Sequence, residues 1–213
     1  MKSYRMALAA VVGMMAGTAG RADGASIAIT FSGGSLGGSA QTRGWSFSTD
    51  SDITVTSLGW FDSGADGLAA SHQVGIWTTG GTLLMSATVA AGTADPILNN
   101  FRFNSALTGS PSLTAGTYVI GGLSTNSDQV AFLVPAGNVT LAPGIAFLQN
   151  RTNNNSGVFS FPGDSQSGLD VGVFGPSFQF DVVAPVPEAS HVLPAALAAL
   201  AAAGLIRRRS VTA

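Results

Sequence analysis

The sequence predicts an all-β fold, a jelly-roll-like β-sandwich of about ten strands, on the strength of three observations. Between residues 26 and 184, short apolar–polar alternations recur every 8–12 residues or so, separated by Gly, Asn and Asp clusters. No stretch there sustains a helical period. Several alternating segments also carry aromatic side chains, which fill the space between two facing sheets.

Taken in order, Ser26 to Phe31 places Ile27, Ile29 and Phe31 on one face of a half-buried strand. Gly33 to Gly38 reads as a flexible loop; no Lys-Ser/Thr pair and no helix follow it, so it is not a phosphate loop. Trp45 and Phe47 alternate with Ser46 and Ser48, and Thr49-Asp50-Ser51-Asp52 is a turn. The next strand, rich in β-branched residues, is expected to place Ile53, Val55, Ser57 and Gly59 on one face and Thr54, Thr56, Leu58 and Trp60 on the other. Val74 and Ile76 lead through Thr79-Gly80-Gly81 into Thr82 to Val89, a β-hairpin. Phe101 and Phe103 share a face of a short strand, and Leu113 to Gly122 runs through a glycine turn into another. Gln129 to Val134, Ile145 to Asn150, Val171 to Phe174 and Phe178 to Val183 complete the set, with polar loops at Asn150 to Ser156 and Phe161 to Ser167.

Composition removes whole classes of chemistry. The 213 residues contain no cysteine, which excludes disulfides, thiolate zinc, iron–sulfur clusters and cysteine nucleophiles. Residues 26–184 hold three arginines against nine aspartates, with no lysine and no glutamate. Without a basic patch, nucleic acid is not a partner.

The basic residues gather at the ends instead. Lys2 and Arg5 precede an uncharged run from Met6 to Gly20 followed by small residues, the pattern of a secretory signal peptide over 1–22. Cleavage by signal peptidase fits after Ala19 or after Ala22. At the other end, residues 186–209 read as Val186-Pro187-Glu188, an apolar run from Val192 to Ile206, then Arg207-Arg208-Arg209. Apolar run followed at once by basic cluster is a stop-transfer arrangement, a transmembrane helix held by arginines on the cytoplasmic side. A run of about 15 residues extends roughly 22 Å, short of the ~30 Å hydrocarbon core, which suits a transient membrane anchor. A buried helix ending a soluble domain is the other reading of such a run, but it leaves the three arginines unexplained.

In that order, the motif, apolar helix and arginine cluster resemble the PEP-CTERM sorting tail of exported bacterial proteins. The usual motif is Val-Pro-Glu-Pro, and this chain departs from it at Ala189. The resemblance implies recognition and cleavage by an exosortase, a membrane-embedded transpeptidase-like enzyme, and delivery to the cell surface or beyond. A second resemblance rests on Gly59-Trp60-Phe61-Asp62, Asp66-Gly67-Leu68, the stretch from Ser71 to Trp77, and Leu113-Thr114-Ala115-Gly116-Thr117-Tyr118. Together these are similar to an uncharacterised exported β-domain family often found ahead of such tails; it implies the sandwich and no activity.

Phe61 to Leu68 is the one concentrated polar motif of the body. Asp62 and Asp66, followed by Gly67, match positions one, five and six of a calcium loop, with Asp95 or Asp128 as ligands from other loops. Gly64 and Gln73 stand where that loop carries a third-position acid and a twelfth-position Glu. The same spacing fits a solvated turn in which aspartates cap backbone N–H groups. Ser71, His72 and Asp66 do not form a triad, because strand neighbours point to opposite faces. Asp62 and Asp66 lack the setting of a glycosidase pair. Trp45, Trp60 and Trp77 are candidates for a sugar-stacking platform or for core packing. The expectation is therefore no enzyme, but an exported structural or interaction protein of the cell envelope or extracellular matrix. The alternative is a module that binds exopolysaccharide, with or without calcium.

Overall fold

The structure, a computed structural model, describes residues 25–154, 157–166 and 172–184. The signal peptide expected over 1–22 and the sorting tail expected over 186–209, with Val186, Pro187, Glu188, Arg207, Arg208 and Arg209, lie outside the described residues. Among the described residues no helix is long and apolar enough to cross a membrane.

The strands run in chain order as β1 (Ser26–Ile27), β2 (Ile29–Phe31), β3 (Ser35–Gly37), β4 (Gln41–Thr49), β5 (Ile53–Phe61) and β6 (His72–Thr78). They continue as β7 (Leu83–Val89), β8 (Ile97–Leu98), β9 (Phe101–Asn104), β10 (Thr108–Gly109), β11 (Ser112–Leu113) and β12 (Gly116–Ser124). Last come β13 (Val130–Phe132), β14 (Val139–Leu141), β15 (Ile145–Asn153), β16 (Asp164–Gln166) and β17 (Pro176–Val182). One sheet has the order β1-β17-β5-β9-β8, with β11 also on β5, and the other the order β10-β7-β6-β12-β4-β15-β16. Each of the neighbouring pairs is antiparallel, and the chain passes repeatedly between the sheets, as in a jelly-roll-like β-sandwich. The all-β sandwich read from the sequence is the fold observed.

Aromatic rings join the two layers. Trp45 and Phe47 on β4 meet Phe178 on β17 at centroid distances of 6.2 and 4.9 Å. The Trp45 indole N–H also donates to the Pro176 carbonyl across the interior at 3.0 Å. A buried indole thus finds the polar partner that its burial demands.

Strand β5 departs from the alternation expected of it. Its ladder with β17 pairs Ser57 with Gln179 and Val55 with Phe180, leaving Thr56 as an extra residue. This bulge reverses the alternation, so Ile53 and Val55 before it and Leu58 and Trp60 after it all join the buried core. The face expected to unite Ile53, Val55, Ser57 and Gly59 is therefore broken at Thr56. Other boundaries shift as well. Ser26 to Phe31 divides at Ala28, with β1 pairing β17 and β2 pairing β14. The glycine loop holds β3, which pairs β13. The polar stretches after Asn150 and Phe161 contribute the end of β15 and the whole of β16.

Where the chain leaves β11 in one sheet for β12 in the other, the Tyr118 hydroxyl donates back to the Thr114 carbonyl at 2.8 Å. Such a tyrosine corner fixes a crossing between sheets. Tyr118→Phe keeps the ring and its contact with Phe47, and should lower unfolding free energy by about 1 kcal/mol. Urea unfolding measures this, and an unchanged midpoint would show that the corner contributes nothing to stability.

Candidate functional site

The Phe61–Leu68 loop and its neighbours form one end of the sandwich. Asp62 leaves β5 with its carboxylate buried, 2% exposed, against a guanidinium. Its Oδ2 accepts from Arg102 Nε at 2.7 Å and from the Gly67 backbone N–H at 3.1 Å. Arg102 is paired with Trp60 in the β5–β9 ladder and so shares its face. Its other nitrogens donate to the Asp95 carbonyl at 3.0 Å and the Ala65 carbonyl at 3.4 Å. The Asp62 N–H donates in turn to the Asn100 carbonyl at 2.7 Å. One ion pair thus fixes the end of β5, the loop after it and the segments on either side of β8.

The loop geometry differs from the calcium arrangement in three ways. The positive charge answering Asp62 is a guanidinium. Asp66 is exposed at the mouth of a cleft of about 250 Å³, which Asp62 and Asp128 also line. Gln73, at the twelfth position, lies in β6 opposite Thr88 and lines a different cleft. Among the described residues no set of three or more His, Asp or Glu is grouped as a metal site. Asp95 is not among the residues lining this cleft and accepts from the Ala90 N–H at 2.6 Å.

The second polar cluster is His72, fully buried, with its ring 4.4 Å from that of Trp60 and nearly parallel to it. Its partner is Asp128, at 2.9 Å, not Asp66. Nδ1 lies 2.8 Å from the Leu123 carbonyl. Both ring nitrogens are therefore engaged, one by a backbone carbonyl and the other by a carboxylate. Asp128 accepts further from the Ala69 and Ala70 N–H groups at 2.8 and 2.9 Å, clamping two loops together. The aspartates here act as caps on backbone N–H groups and as counter-charges.

A second arginine near this end is Arg43, 7% exposed, with its guanidinium 4.9 Å from the centre of the Phe132 ring and a bond to Ser39 Oγ. Desolvation by burial holds it below the ordinary guanidinium range. The three tryptophans are not a sugar platform. Trp45 and Trp60 are fully buried, and Trp77 is covered on the other face of its sheet by Phe159 and Phe161.

A neighbouring cleft of about 330 Å³ was not foreseen from the sequence. Asn99, Asn100, Asn138, Thr30, Ser32, Thr140 and Phe31 line it. Asn99 and Asn100, with φ of 50° and 62°, are the two turn residues between the paired Leu98 and Phe101. Positive φ at both positions is what a two-residue type I′ hairpin requires, and asparagine supplies it. An Asn-Asn pair just before an alternating strand is the signal that would have revealed it.

Comparison of the chain with models of known protein families, with characterised proteins and with solved structures finds no match.

Removing one partner of the buried pair strands the other. Arg102→Met should therefore destabilise the fold by about 3–5 kcal/mol, and Arg102→Met with Asp62→Leu by less than the sum of the single changes. Additive losses in chemical unfolding would show that the two side chains act independently. Calcium should leave the melting temperature unchanged, because Asp62 already has its counter-charge. A rise of several degrees on adding calcium would instead locate an ion at Asp66 and Asp128.

Proposed function

We propose that this chain is an exported, non-enzymatic interaction protein, sorted through residues 186–209 by an exosortase-type enzyme to the cell envelope or extracellular matrix. The observation that carries the reading is the order of Val186-Pro187-Glu188, the uncharged run to Ile206 and the three arginines, directly after a sandwich whose last strand ends at Val182. The ends of the sandwich support it. Ser26 pairs with Phe180, so the chain enters and leaves the described body through adjacent antiparallel strands, and among the described residues no ladder extends beyond Val182. Signal peptidase and the sorting enzyme would act on segments outside the body, and the tail would hold the membrane only until processing.

The groups best suited to chemistry are occupied in holding the fold. Asp62 is bound by Arg102, and His72 by Leu123 and Asp128. That engagement favours binding over catalysis.

Mass spectrometry of the protein recovered from its native host is expected to find a C-terminus near Val186 to Glu188. Joint Pro187→Ala and Glu188→Ala substitution should leave the chain full-length and in the membrane fraction. Recovery of wild-type protein intact through Ala213 would sink the sorting proposal.

A further inference from the structure

We propose that the cleft lined by Asn99, Asn100, Asn138, Ser32, Thr140 and Phe31 binds an uncharged polysaccharide. The inference builds on reading the sandwich as an interaction module; it does not depend on how the tail is processed.

Four observations carry it. The first is chemistry: three side-chain amides and the hydroxyl residues Thr30, Ser32 and Thr140 offer donors and acceptors together, with no charged side chain among the lining residues. Such a set matches ligands whose hydroxyls both donate and accept. Phe31, half-buried against Phe61 and Phe101, adds an aromatic surface for the C–H face of a sugar ring.

The second is rigidity. The Asn138 amide donates to the Ser32 carbonyl at 3.1 Å, and the Ser32 N–H donates back to the Asn138 carbonyl at 3.1 Å. The type I′ turn sets Asn99 and Asn100, and the Asn100 carbonyl is held by Asp62. Among the described residues neither of these two exposed amide side chains has a hydrogen-bond partner, so both are free for a ligand while their backbone is fixed. Fixed polar groups spare a ligand the cost of ordering them.

The third is charge. The adjoining cleft carries Asp62, Asp66 and Asp128, and the body as a whole has an excess of aspartates. Anionic glycans approaching within a Debye length of about 8 Å are repelled, whereas neutral ones are not.

The fourth is position. Val182 pairs with Ile53 and Pro176 with Trp60, so the tail leaves at the Ile53 end of β5 and the cleft lies at the Phe61 end. At ~3.3 Å per residue the two are roughly 26 Å apart. The cleft therefore lies at the opposite end of the sandwich from Val182, clear of the segment that follows it in the sequence.

The test is calorimetric titration of the purified full chain with cellohexaose, maltohexaose and laminarihexaose, with alginate as the anionic control. At least one neutral oligosaccharide is expected to bind with a dissociation constant of about 1 mM or tighter. Joint Asn99→Gly and Asn100→Gly substitution keeps the positive-φ turn, since glycine accepts it, and removes both amides. This variant should melt with the parent and bind at least about tenfold more weakly. Binding of alginate as tight as that of the neutral sugars, undiminished binding by the glycine variant, or no binding of any neutral sugar would each overturn the proposal. None of these outcomes bears on whether the tail is cleaved, so the two proposals fail separately.

Discussion

The Asp62–Arg102 ion pair is the constraint on which the Phe61 end of the sandwich depends. A buried charge is tolerated only when its counter-charge and hydrogen bonds are complete. Here the completion draws in four segments: the end of β5, the Gly67 turn, the Asp95 carbonyl before β8 and the Ala65 carbonyl. Because the Asp62 N–H also holds the Asn100 carbonyl, the acidic cleft and the neutral cleft share one support. Neither can shift without disturbing the other.

That support in turn needs the interior to accept Trp60 beside Arg102. The bulge at Thr56 turns Leu58 and Trp60 to the core face. Gly122 then leaves room for the indole, since a Cβ there would lie 2.4 Å from the ring. His72 stacks on Trp60 and bonds Asp128, which extends the arrangement to the loop after β12. One extra residue in a strand therefore decides where the charges of the end loops meet.

Much of this was legible in the sequence and some of it was not, for physical reasons. Period-two patterning found the long strands, because half-buried strands at Trp45, Val74 and Tyr118 announce themselves residue by residue. Two- and three-residue strands such as β3 and β16 were missed, since a stretch that short carries no period. The β5 bulge was invisible because alternation read locally cannot report an unpaired residue; only the partner strand reveals it. Asp62 was singled out as a polar hub, yet its partner was not, because Arg102 stands between Phe101 and Phe103 in a strand whose aromatic face looked like the buried one. Asp128 is 56 residues from His72, a pairing that only topology makes.

The same comparison bears on what such a domain can do. The structure engages Asp62, His72 and Asp128 in hydrogen bonds within the fold. The cleft beside Asn99 and Asn100 is lined by asparagine, serine and threonine with Phe31. Those side chains bind by matching hydrogen bonds, each worth little against water unless several are held in place at once. A type I′ turn, a reciprocal bond between Ser32 and Asn138 and a buried ion pair behind them hold these groups in place. The buried Asp62–Arg102 pair thus gives rigidity to the end of the sandwich opposite Val182, where these neutral side chains line the cleft.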